Sequence, residues 1–175
     1  MSNYNKQLHI SRWGFSLIEL LISIAVIATI ISLALPNFLG ARTRARDTRR
    51  KSEMQQFKTA LQLYYGDYAG YPADSGGPMY GEVRGCGALG TTTCPCSSTL
   101  DFAAGGAGCS TIYMSQFPDE FGTSMYYYQK NSGSDYCLKV PLENASDGDI
   151  TISQNRCASL CLDDASGTDY VVCSE

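Results

Sequence analysis

From Phe15 to Leu35 the chain carries 21 consecutive residues with one charge, Glu19, and no glycine or proline. A helix needs roughly 20 apolar residues to cross a hydrocarbon core, so this run predicts a membrane-spanning helix. It is apolar on every side and requires lipid or other helices around it. Pro36 closes the run and, lacking an N–H, is expected to bend or locally melt the helix. Beyond it the pattern changes. Met54, Phe57, Leu61, Tyr64 and Tyr68 recur at three- and four-residue steps, which is the apolar stripe of a helix lying on a core. No proline interrupts Phe38 to about Tyr65. The two halves together predict a rod of about 50 residues, roughly 75 Å if straight. A body of about 110 residues cannot bury that length, so the helix is expected to protrude.

Gly66 to Pro72 supplies a helix stop: glycine, then tyrosines, then proline. From Ala73 to Gly108 the sequence is rich in glycine, serine, threonine and cysteine with little periodicity. It predicts a long stapled loop with room for a short helix. Three strands are expected at Ser124–Lys130, Asp135–Leu142 and Thr168–Cys173, each rich in aromatic or β-branched residues and bounded by turn formers. Short connections make that sheet antiparallel. The fold class is α+β: a long N-terminal helix, transmembrane in its first half, packed on a small antiparallel sheet.

Charge is unevenly placed. Seven of the thirteen Lys/Arg fall between Arg42 and Lys58, and fourteen of the seventeen acids lie beyond residue 60. A basic collar therefore joins the apolar segment to an acidic body. With a net charge of −4 nothing marks the chain as a nucleic-acid binder. The Arg42–Lys51 cluster is expected to face solvent or phospholipid and later the acidic patches of neighbouring heads. DNA contact and a bare topology signal are its other readings.

All eight cysteines, Cys86, Cys94, Cys96, Cys109, Cys137, Cys157, Cys161 and Cys173, lie in the second half. An even count in a small Gly-rich body predicts disulfides made outside the cytoplasm. Two local sets are favoured, Cys86/Cys94/Cys96/Cys109 and Cys137/Cys157/Cys161/Cys173. Zinc competes poorly, because no C-x-x-C pair exists and the one histidine, His9, is far upstream. That lack of histidine after residue 9 also removes most general-base and triad arrangements. The Gly-Gly pairs at 76–77 and 105–106 lack the lysine of a phosphate loop. No catalyst is expected.

Glu19 is the most informative single residue. A carboxylate at a helix centre costs about 2.5–3.5 kcal/mol to insert, less near an interface, so it is kept for a partner or a role, or else it snorkels to the headgroups. Four residues earlier stands Phe15, preceded by Gly14 and by a short leader carrying Lys6 and Arg12. Cleavage after Gly14 would create an α-amine one turn from Glu19, able to cancel the buried acid within one chain or between neighbours. Ordinary signal cleavage at Ser32-Leu33-Ala34 fits less well, since the run is too long and contains Glu19. The collar, counted by the positive-inside rule, would leave the C-terminal side in the cytoplasm; the cysteines place it outside.

Gly14-Phe15-Ser16-Leu17-Ile18-Glu19-Leu20-Leu21, between a basic leader and an apolar run ending at Pro36, resembles the class III signal of type IV pilins and type II secretion pseudopilins. The match spans roughly residues 10 to 72. The resemblance implies cleavage by a prepilin peptidase after Gly14, N-methylation of Phe15, an assembly role for Glu19 against a neighbour's N-terminus, and a kink at Pro36. It implies a leader at 1–14, a transmembrane and polymerisation helix at 15–36 and a head at 37–175. The implied partners are further copies in a helical homopolymer, the peptidase, an inner-membrane assembly platform and the inner membrane before assembly. No nucleic acid is among them. The subunit would sit in the inner membrane with its head outside the cytoplasm, then move into an extracellular pilus or a periplasmic pseudopilus. Gly70-Tyr71-Pro72 is similar to the major pseudopilin branch, and Phe117–Gly122 is similar to that branch's Pro-Asp-Pro-Trp-Gly segment, with Glu120 and Phe121 replacing proline and tryptophan. Major pseudopilins bind calcium in the region of Asp147, Asp149, Asp163, Asp164 and Asp169, which makes these aspartates candidate oxygen ligands, although their spacing is not that of an EF-hand and plain solvated acidic turns are the favoured reading. The contrasting expectation is a secreted, disulfide-rich binding module beginning at Leu35.

Overall fold

The computed structural model describes residues 14–75, 82–96, 100–106, 108–118, 126–161 and 167–174. The leader, the strand start at Ser124, and the 119–122 part of the Phe117–Gly122 segment lie outside these residues. The chain divides into two compact units, Met1–Ala41 and Arg42–Glu175.

Helix α1 runs from Leu17 to Tyr68, 52 residues. It is continuous through position 36, so the expected melting there does not occur. The helix also outlasts its glycine. Gly66 stays helical, and the stop is Ala69, whose φ of 52° takes the left-handed conformation as its N–H closes on the Tyr65 carbonyl at 2.9 Å. The extra turn is held by stacking of Tyr68 on Tyr64, with ring centroids 4.4 Å apart.

The expected loop from Ala73 to Gly108 is instead built of short strands. β1 (Ala73–Asp74), β2 (Val83–Cys86) and β3 (Thr92–Thr93) form one antiparallel sheet. β4 (Phe102–Ala104) and β5 (Thr111–Met114) form a second, joined to the first by a parallel bridge between Gly87 and Ala104. Strands of two to four residues are too short to show alternation, which explains why the pattern was silent. Gly85 is required here. A Cβ at this position would come within 2.9 Å of both the Phe102 ring and Pro72.

The third sheet fulfils the sequence expectation. β6 (Tyr127–Lys130), β7 (Tyr136–Pro141) and β8 (Asp169–Cys173) lie antiparallel in that order, with Gln129 opposite Cys137 and Cys137 opposite Cys173. Between β7 and β8 sits a helix the sequence reading missed, α2 (Gly148–Arg156). Its signals were an aspartate N-cap at Asp147 and the three-residue step from Ile150 to Ser153, both buried on its inner face.

The core is aromatic. The stripe residues Met54, Phe57 and Leu61 are wholly buried, and Tyr64 nearly so. Phe57 meets Phe102, Phe117 and Tyr128 with ring centroids 5.5–6.3 Å apart. A large apolar side chain withdrawn from water contributes about 1.5–3 kcal/mol, so this stripe is what binds the helix to its sheets.

Candidate assembly site

From Leu17 to Leu35 the segment is helical with no side chain buried. The Ser16 carbonyl accepts from Glu19 N at 3.1 Å and Leu20 N at 3.2 Å, which opens the first turn and places Glu19 within it. A carboxylate in a first turn is favourably placed against the helix dipole. The hydroxyls of Ser23 and Thr29 donate to the carbonyls of Glu19 and Val26, each at 2.7 Å. They thereby satisfy their polarity inside the helix, as residues facing lipid or another helix must. Every large apolar side chain here is more than half exposed, from Leu17 at 80% to Val26 at 52%. The segment is long and apolar enough to cross a membrane. Phe15 is 79% exposed. A Cβ at Gly14 would meet nothing within 4 Å.

The basic collar departs from the expectation of a solvated or lipid-facing cluster, because four of the six basic residues from Arg42 to Lys51 are paired within the chain. Arg46 makes a forked pair with Glu143, Nε to Oε1 at 2.8 Å and Nη2 to Oε2 at 2.5 Å. Arg50, nearly buried, donates to the Pro141 carbonyl at 3.2 Å and pairs with Asp47 and Glu143. Lys51 Nζ reaches Asp147 at 2.8 Å and Asp149 at 2.7 Å. Arg49 pairs with Glu53 one turn on. Arg42 and Arg44 remain exposed.

Asp47 is the buried structural residue that sequence reasoning missed. It is 1% exposed, and its two oxygens accept from the backbone N–H groups of Glu143 and Asn144, both at 2.9 Å. A lone acid amid six basic residues reads as surface charge, and nothing local marks it as a backbone clamp. Hydrogen bonding from Arg46 holds the Glu143 carboxyl below the usual carboxylate range. The hydrogen bond from Lys51, helped by the Asp149 N–H, does the same for Asp147. Burial works against the Lys51 ammonium, but its bonds to Asp147 and Asp149 raise its pKa overall.

The cysteines pair within the two sets: Cys86–Cys94 and Cys96–Cys109, then Cys137–Cys161 and Cys157–Cys173. No cysteine is left free to bind zinc or act as a nucleophile. Of the candidate calcium ligands, Asp147 and Asp149 converge on Lys51, and Asp169 opens β8 with its carbonyl accepting from Gln154 at 2.9 Å. Asp163 and Asp164 lie outside the described residues. Among the described residues no group of three or more His, Cys, Asp or Glu could hold a metal ion.

The N-terminal region is distantly homologous to type IV pilins and to the core G protein of type II secretion systems. The chain is 39% identical over 61 residues to the type IV wide pilus major component PilA4 of Thermus thermophilus, covering 35% of this chain and 47% of that protein. It is 32% identical over 54 residues to the type IV major pilin protein PilA of Myxococcus xanthus, covering 31% and 24%. It is 31% identical over 64 residues to the type II secretion system core protein G of Escherichia coli, covering 37% and 44%. The matched stretch thus spans less than half the length of these relatives. No family model matches the chain, and no solved structure matches it.

Proposed function

We propose that this chain is a structural subunit of a helical filament of the type IV pilus or type II secretion pseudopilus kind, with no catalytic role. The observation that carries the reading is the Leu17–Leu35 half of α1: a helix apolar on every side, unburied, with its only charge in its first turn. Such a helix is stable only in lipid or among copies of itself. On this reading a prepilin peptidase removes residues 1–14, Phe15 becomes the N-methylated start, and the Glu19 carboxylate meets a neighbour's α-amine as subunits leave the membrane. Pro36 closes the 15–36 span, and residues 37–175 form the head. The subunit waits in the inner membrane with its head outside, where the four disulfides can form and persist. An inner-membrane platform then moves it into a pilus or pseudopilus.

The test is N-terminal sequencing with intact mass on the natively expressed, membrane- or filament-associated protein. The expected result is a start at methylated Phe15 and a mass lowered by two hydrogens for each disulfide. A start at Leu35 would replace the filament reading with a secreted binding module. Microscopy of surface filaments then separates pilus from pseudopilus.

A further inference from the structure

The connection from β7 to α2 carries two carboxylates two residues apart, at Asp147 and Asp149, and both point at one cation that belongs to the chain. Lys51 Nζ stands 2.8 Å from Asp147 Oδ2 and 2.7 Å from Asp149 Oδ2. The other Asp147 oxygen, Oδ1, is also engaged: it caps α2 by accepting from Asp149 N at 3.0 Å. The Lys51 and Asp147 side chains are each only 19% exposed, so the pair is shielded more than a surface ion pair would be. A calcium ion at this point would need six to eight oxygens at about 2.3–2.6 Å. The ammonium already occupies the place between the carboxylates. These residues do not fit a metal.

We propose that the Lys51 ammonium is the built-in structural cation of the β7–α2 turn, holding Asp147 and Asp149 as a bound divalent ion would, so that the head keeps its fold without calcium. The lysine comes from α1 and the carboxylates from the start of α2, so the one charge ties the long helix to the element that carries Cys157. The inference does not rest on the filament reading and stands for any role of the head.

The experiment is thermal unfolding of the full chain in detergent micelles, in millimolar calcium and in excess EGTA. Wild-type midpoints are expected to coincide in the two media. Lys51→Met, which keeps the stem and removes the charge, is expected to lower the midpoint in EGTA by about 2–4 °C. Lys51→Arg is expected to stay near wild type. A wild-type midpoint that falls in EGTA would overturn the proposal, and so would a Lys51→Met midpoint equal to wild type. Should Lys51→Met fail to accumulate, wild type and Lys51→Arg in the two media still decide: a midpoint that drops in EGTA for either one overturns it.

Discussion

The two halves of α1 are one helix made for two solvents. From Leu17 to Leu35 no side chain is buried and apolar residues lie on all sides. From Arg42 to Tyr68 the same helix is amphipathic, with Met54, Phe57, Leu61 and Tyr64 inside and Ser52, Gln55, Gln56, Thr59 and Gln62 outside. Helical backbone geometry is common to both, so the difference lies wholly in what must surround the side chains. On the proposed reading the first half takes its stability from lipid or from neighbouring copies. The second takes it from the head, first through charges at Arg46–Lys51 and then through rings from Phe57 to Tyr68.

The largest expected effect tests the buried half. Phe57→Ala removes a fully buried ring that packs on Phe102, Phe117 and Tyr128 and is expected to cost about 3–5 kcal/mol in denaturant unfolding. A loss under 1 kcal/mol, on that scale, would mean that the aromatic stripe does not bind helix to head. Next, Val26→Asp places a charge in the exposed half, at an insertion cost of about 2.5–3.5 kcal/mol. It should reduce membrane retention while the head's unfolding midpoint stays at wild type. A midpoint that moved with it would deny that the halves answer to different surroundings.

Asp47→Ala is third. It strands two backbone N–H groups and removes one acceptor from Arg50, which keeps Pro141 and Glu143, at about 1–3 kcal/mol. Amide hydrogen exchange should quicken first at Glu143 and Asn144, and unchanged protection there would remove the clamp from the account. The smallest effect is that of acid. Glu143 and Asp147 have folded pKa values held below the ordinary carboxylate range, so their contribution is complete above that range. It is lost as pH falls through their lowered folded values, and stability should decline below about pH 4. Lys51 works in the opposite sense: its raised pKa keeps its contribution intact at neutral pH and surrenders it only as pH rises beyond the usual lysine range. Arg46→Ala should flatten the acid limb slightly, measured as unfolding midpoint against pH.

Legibility in the sequence followed the range of the signal. The Phe15–Leu35 run was readable from its unbroken apolar length, and the stripe from Met54 to Tyr64 and the strands β6, β7 and β8 from patterns sustained over several residues. Strands β1 to β5 were not, because two to four residues held by a disulfide and a neighbouring strand carry no period of their own. α2 left a faint signal in Asp147 and Ile150 that was read as an acidic turn. Of the candidate assembly site, Glu19 stood out as the one charge in the apolar run and Gly14 and Phe15 through the resemblance to the prepilin signal, whereas the partners of the collar did not.

What the sequence by itself determined is therefore the local chemistry: an unpartnered apolar helix with one acid near its start, an amphipathic continuation, and eight cysteines in two groups. These depend on neighbours within a few turns, so order along the chain is enough to reveal them. Only the tertiary structure decided that Cys137 pairs with Cys161 rather than with the Cys173 opposite it in register, that Asp47 is buried, and that Lys51 serves Asp147 and Asp149. Those contacts join residues 24 to 98 positions apart. The energy of such a contact depends on distance in space, which the order of residues does not state.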